Sequence, residues 1–305
     1  MSRNAATVAL PQVPLRKRRA EALDFLLRLV RDKPLGAVGG FCVLLIVLMA
    51  VLANVLAGYG YAEIHLVDKL SAPSAKYLMG TDQLGRDVLA RLLFGARVSM
   101  YVGLGAVTIG TLLATVIGVV SGYYGGKVDM VVQRIVDAFM SFPHLVLLLT
   151  IMFIMGRGLI NVMVAIGFIQ CFQNVRVVRS ATLTVAQAQF VDAARVVGGG
   201  HSRIMWRHIL PNVMAPVVIV STLGFAQAIL TEASLSFLGV GVPPPEPSWG
   251  QMLSSTGIEY MYSAPWLAVW PGVAISAAVF GFNVLGDALR DLLDPRLRGG
   301  GQRFV

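Results

Sequence analysis

The chain has 305 residues, 56% of them hydrophobic and 13% charged, with a formal net charge of +9 and a mean hydropathy of +0.72. A water-soluble domain carries about twice that charged fraction, so the composition excludes an ordinary soluble enzyme or binding module and indicates an all-α polytopic membrane protein. The basic residues lie between apolar runs, which fits a topological role better than a nucleic-acid-binding face.

In chain order, residues 1–20 are polar and end in Arg16-Lys17-Arg18-Arg19, a basic tail. Glu21–Lys33 sets Ala22, Leu26, Leu29 and Val30 on one helical face, as in a helix lying in the membrane interface or a juxtamembrane linker. Together they form a first region, 1–35. No small-residue cleavage site follows a short apolar core here, so no removable signal peptide is expected. The first span is Gly36–Ala57, uncharged and long enough to cross a hydrocarbon core of ~30 Å. With the polar segment Gly58–Arg97 it makes a second region, 36–97.

A core region, 98–290, holds the remaining spans. The second, Val98–Ser121, places Ala106, Gly110, Ala114, Gly118 and Gly122 four residues apart, a ladder that lets another helix approach closely. The turn GYYGGKVD invites comparison with a phosphate loop and fails it. Ser121 stands where the first glycine is needed, and Val128 replaces the magnesium-binding hydroxyl. The third span covers about Ile135–Met155, with a kink expected at Pro143. A turn at Gly156-Arg157-Gly158 leads to a fourth span ending near Val175, whose Gln170, Gln173 and Asn174 must face protein or water. The fifth and sixth spans are about Asn212–Thr231 and Trp266–Leu285, joined by the proline-rich FLGVGVPPPEPSWGQML. The tail is 291–305.

Between spans four and five lies FVDAARVVGGGHSRIMWRHILP, from Phe190 to Pro211. Asp192-Ala193-Ala194 open a short helix that Gly198-Gly199-Gly200 breaks. Ser202 is placed to cap a second helix, Arg203–Leu210, which Pro211 ends or redirects. Of the 25 Lys and Arg residues, 19 fall in the N-terminal tail, the 2–3 turn, the whole connection from Val175 to Asn212 between spans four and five, and the C-terminus. The positive-inside rule then places both termini and the loop in the cytoplasm.

The other polar residues read structurally. Glu232, at the outer end of span five, reads as a helix-end carboxylate at the interface or bonded within the subunit, against the alternative that it faces a translocation path. Asp137 is spaced to pair with Arg134. His144 lacks a second ligand at metal-binding spacing. His201 and His208 suit loop packing or partner contacts, and Trp249 and Trp266 suit interface anchors. Cys42 and Cys171 lie in apolar spans, where no disulfide framework is expected.

The acid-Ala-Ala triplet, Gly198 and Ile209-Leu210-Pro211 resemble the EAA loop of membrane subunits of ATP-binding-cassette importers, with Asp192 in place of the usual glutamate. MGTDQLGRDVLARLLFGARVS, SGYYGGKVDMVVQRIVDAFMSFP, EASLSFLGVGVPPPEPSWGQML and NVLGDALRDLLDPRL are similar to segments of dipeptide, oligopeptide and nickel permeases of the C type. The resemblance implies six transmembrane helices in the type I importer fold, in a bacterial or archaeal cytoplasmic membrane. It implies a heterodimer with a homologous permease, two ATPase subunits that carry ATP and magnesium, and an extracytoplasmic binding protein. It makes Asp192, Ala193, Ala194, Arg195, Gly198 and Arg203 the ATPase-docking surface, with no catalytic, cofactor or metal residue in this chain. A membrane-embedded enzyme would need clustered acids, histidines or cysteines. A stand-alone ion-coupled secondary transporter would favour broken, repeated spans and would not need the loop.

Overall fold

A computed structural model of the chain describes residues 29–254 and 258–293. The basic tail, most of the segment read as an interfacial helix and the C-terminal residues from 294 on lie outside them. Helices account for nearly all of the described residues, with one isolated β-bridge between Thr81 and Asp87. Five helices are long and apolar enough to cross a membrane, six if one bent pair counts as a span.

Helix α1, Pro34–Leu56, opens with its proline in the first turn, where no backbone donor is lost. Helix α2, Val88–Tyr124, starts ten residues before the expected span because Asp87 caps it, Oδ2 accepting from the Ala90 N–H at 2.9 Å. Its early arginines are accommodated by carbonyls. Arg97 Nε donates to Ala50 O at 2.9 Å, and Arg91 Nη1 to Tyr61 O at 3.3 Å.

The expected kink at Pro143 is instead a break. Helices α3, Gly126–Met140, and α4, His144–Met155, meet at 90°. Proline supplies no N–H and disfavours helical backbone in the residue before it, so the chain turns at Ser141–Phe142. Helix α4 alone rises only about 18 Å. Gly156 and Gly158 then turn the chain with positive φ, 80° and 152°, into helix α5, Leu159–Ala186. Helix α5 runs well past Val175, carrying Arg176 and Arg179 within it. Each arginine meets an acid on α3: Arg176 Nη2 lies 2.6 Å from Asp137 Oδ1, and Arg179 makes two short bonds to Asp129. Arg134 is only a distant partner of Asp137, at 3.9 Å.

Helix α6, Gln189–Val196, precedes α7, His201–Phe237. Two expectations fail at this junction. Gly200, not Ser202, occupies the N-cap of α7, and Pro211 does not end the helix. Residues Ile204–Ile209 form a π-helical turn, and Pro211 sits just beyond it, where the widened ladder no longer requires its N–H. Helix α8, Trp249–Leu253, is capped by Ser248, and α9 runs Trp266–Leu293.

The small-residue ladder on α2 packs along α5, and the two helices run parallel. A Cβ on Gly110 would lie 2.8 Å from Gly167 O, one on Gly118 2.8 Å from Val178 Cβ, and one on Gly122 2.8 Å from Thr182 Cβ. Ala106 and Ala114, fully buried, occupy the same stripe. Helices α1 and α9 lie antiparallel through Gly39 and Gly281, tied at one end by Lys33 and Asp291 at 2.5 Å. Phe225 of α7 stacks on Phe282 of α9 at 4.3 Å.

The segment between α1 and α2 is held by polar contacts. Asp68 accepts from Lys76 at 2.7 Å and from Tyr77 at 2.9 Å, and the Thr81 carbonyl accepts from Trp266 Nε1 at 3.1 Å. The Lys76 ammonium, and then the Tyr77 hydroxyl, hold the Asp68 carboxyl below the usual carboxylate range. Trp249 is not an interface anchor. It is fully buried, its indole over Gly95 and its Nε1 donating to Leu92 O at 3.0 Å. Glu232 is bonded within the subunit, accepting from Ser236 Oγ at 2.6 Å and lying 3.5 Å from Ser99 Oγ.

Candidate coupling site

The segment Gln189–Arg203 is built on an apolar footing. Val191, Ile204, Met205 and Ile209 are buried against Val119 of α2 and Val178 of α5. Among the α6 residues Val191 is buried and Ala194 partly so, and the others stand out from the protein. Its end is fixed by glycine. Gly198 has φ 83°, its N–H reaches Arg195 O at 2.9 Å, and the Gly199 N–H reaches Ala194 O at 2.9 Å. These two bonds make a Schellman motif, with Gly198 at the position that needs a left-handed backbone.

The sequence-derived residues divide in two. Asp192, Ala193, Arg195, Gly198 and Arg203 are exposed together on this projection. Ala194 is half-buried and packs on the apolar footing, so part of it serves the fold rather than the surface. The ladder residues Ala106, Gly110, Ala114, Gly118 and Gly122 lie inside the bundle, apart from the projection except where Gly122 approaches the end of α5. Arg195 lies 2.9 Å from Asp192 and its guanidinium sits 5.7 Å from the Tyr123 ring centre. The Tyr123 hydroxyl lies 2.8 Å from His201 Nδ1, which pins the start of α7 to the end of α2.

Sequence reasoning passed over two residues here. Val196 and Val197, at the end of α6, are each 88% exposed. Adjacent valines in a loop carry no periodic signal, so only the fold reveals that both face outward. The resulting surface has a small centre at Ala193, an apolar tip at Val196–Val197, and a rim of Asp192, Arg195 and Arg203. Charged residues around a low apolar centre suit a protein contact, not bond-making chemistry. Among the described residues no cluster of three His, Cys, Asp or Glu side chains could hold a metal ion.

Comparison with known proteins adds to this geometry. Residues 114–299 match the family described as binding-protein-dependent transport system inner membrane component. Residues 23–73 match the N-terminal TM domain of oligopeptide transport permease C. The dipeptide transport system permease protein DppC of Alkalihalophilus pseudofirmus is 40% identical, covering 88% of each chain. The oligopeptide transport system permease protein OppC of Bacillus subtilis is 37% identical over 90% of each. The glutathione transport system permease protein GsiD of Pectobacterium atrosepticum is 37% identical over 97% of this chain and 98% of its own. A chain of the inward-facing MetNI methionine ABC transporter superposes with a TM-score of 0.56 at 20% identity, covering 67% of this chain and 96% of that one, a likeness of fold. An EAA-type loop on a bundle of this fold, matched over most of its length by permeases, places the chain in the binding-protein-dependent transport system inner membrane component family, among its permease C members.

Proposed function

We propose that this chain is one of two membrane subunits of an ATP-driven importer for dipeptides, oligopeptides or a related small solute. It pairs with a homologous permease, takes substrate from an extracytoplasmic binding protein and docks on two ATPase subunits that hold ATP and magnesium. Both termini and the α6 projection lie in the cytoplasm, as the distribution of Lys and Arg supports. The projection at Gln189–Val197 carries the reading. It is a capped helix with exposed small and apolar residues, linked through the four-residue turn Val197–Gly200 to a helix long and apolar enough to cross a membrane. A contact made there biases the span directly, because docking favours whichever arrangement of the bundle fits the ATPase better.

Reconstitution into liposomes with the partner permease and ATPases tests the reading. ATP inside and loaded binding protein outside should drive uptake of labelled di- or tripeptides, and omission of either should abolish it. Uptake by this chain alone, driven by an ion gradient, would replace the proposal with that of a secondary transporter.

A further inference from the structure

A cavity of about 240 Å³ lies where the 58–87 segment, the start of α2 and the α7–α9 connection meet. Its polar lining includes Asp82, Arg86, Arg91 and Gln251, over a floor that includes Val88 and Leu267. The two arginines are unequally satisfied. Asp82 is committed to its own turn: Oδ1 accepts from the Leu84 and Arg86 N–H groups at 2.9 and 3.0 Å, and Oδ2 accepts from Arg86 Nε at 2.6 Å. Arg91 is left with long contacts only, though its side chain is just 6% exposed. They are Nε to Asp82 Oδ2 at 3.7 Å, Nη1 to Tyr61 O at 3.3 Å and Nη2 to Gln251 Oε1 at 3.5 Å. A guanidinium presents five donors in a planar fork suited to a carboxylate, and burying it with poor partners is costly. One carboxylate against two guanidiniums leaves this lining with an excess of one positive charge.

We propose that this cavity receives an acidic side chain of the extracytoplasmic binding protein, its carboxylate bound by Arg91. The proposal rests on the importer reading and on the orientation it implies. Size selects the occupant, since small-molecule sites run from about 300 to 1,000 Å³, and a niche below that range takes a side chain more readily than a whole peptide. Position agrees, because the lining comes from the segments between spans and the mouths of α2 and α9. The apolar floor of Val88 and Leu267 would shield the pair from water and strengthen it.

The test measures binding of the substrate-loaded binding protein to the complete importer in lipid nanodiscs. Gln251→Glu places a carboxylate beside Arg91 and should weaken binding at least tenfold, with complex yield as the control for assembly. Arg91→Lys keeps the charge but loses the fork, and should weaken it less. The parent complex supplies a measurement free of any folding defect: acetate replacing chloride at equal ionic strength should compete and weaken binding several-fold. Unchanged affinity under acetate and in both variants overturns the proposal. So does unchanged docking combined with a selective loss of uptake of peptides with free, rather than amidated, C-termini, which would make the cavity a substrate site. If the parent importer binds no such protein at all, the importer reading itself fails.

Discussion

Replacing Trp249 by alanine separates its buried position from an interfacial one. An interfacial tryptophan trimmed to alanine loses a half-exposed ring, whereas here a fully buried indole that α8 inserts against α2 and α7 is removed. No neighbour can move in cheaply, because α8 is already pressed onto α7: a Cβ on Gly250 would lie 2.1 Å from Ala233 O. Truncation of a buried tryptophan costs about 3–5 kcal/mol when the site cannot collapse. Trp249→Phe keeps most of the ring but loses the bond to Leu92 O, a cost of about 1 kcal/mol plus the missing ring edge. The chain contains its own reporter, since Cys171 is only 2% exposed. In a Cys42→Ala background, the rate at which a thiol reagent labels Cys171 follows the open population when reclosing outpaces labelling. At a factor of ten per 1.4 kcal/mol, alanine should speed labelling at least ~100-fold and phenylalanine roughly tenfold. Labelling of the alanine variant within threefold of the parent would refute the buried-wedge reasoning.

Further outcomes follow from other parts of the molecule. Ala193→Glu, on the exposed face of α6, should leave membrane insertion intact, while uptake and the response of ATPase activity to the binding protein fall at least about tenfold, as expected for a charge forced unpaired into a contact. Ala194→Glu should in addition lower thermal stability, because that residue packs on the apolar footing. Gly118→Leu should push α2 and α5 apart and cost about 3 kcal/mol or more, seen as lower yield and faster Cys171 labelling, since even a Cβ there meets Val178 at 2.8 Å. Single cysteines at exposed Ser202 and Val67 should label from opposite sides of the membrane; Ser248, fully buried, is unsuitable as an external site. Asp68 has its folded-state carboxyl held down by Lys76 and Tyr77, so its contribution is present above the ordinary carboxylate range and lost as pH falls through the lowered value. Lys76→Met should shrink that contribution, and proteolysis of the 58–87 segment should then begin at higher pH.

The order and approximate centres of the five continuous apolar spans were legible because a membrane imposes length and polarity on a contiguous stretch, whereas the third expected span proved to be two helices at 90°. Pro34–Leu56 differs from the expected Gly36–Ala57 by one or two residues at each end. The ends of α2 and α5 were not legible, because their arginines read as loop residues. Asp129, 50 positions from Arg179, neutralises one of them, and no local pattern encodes that. Prolines show the same limit. Pro143 breaks its helix while Pro211 does not, and the difference lies in a π-turn that composition does not announce. In the candidate site, Gly198 was readable because glycine termination is a local event, whereas the helix opens at Gln189, three residues before the Asp192 expected to start it. The half-burial of Ala194 and the outward pointing of Val196 and Val197 depend on what α2 and α5 put beneath them.

The continuous helix from His201 to Phe237 has a mechanical consequence. At 1.5 Å per residue it is a rod of about 55 Å. One end is clamped near Tyr123, and the other carries Glu232 in its serine cradle and abuts α8. A helical rod resists stretching, and its compliance gathers where the ladder is irregular, here between the π-turn and Pro216. A push on the α6 projection therefore divides into axial travel, delivered to the α8 joint on the far side, and bending confined to residues 204–216. The ratio of the two is set by about a dozen residues near one end of the rod, leaving the longer arm free to act as a pointer.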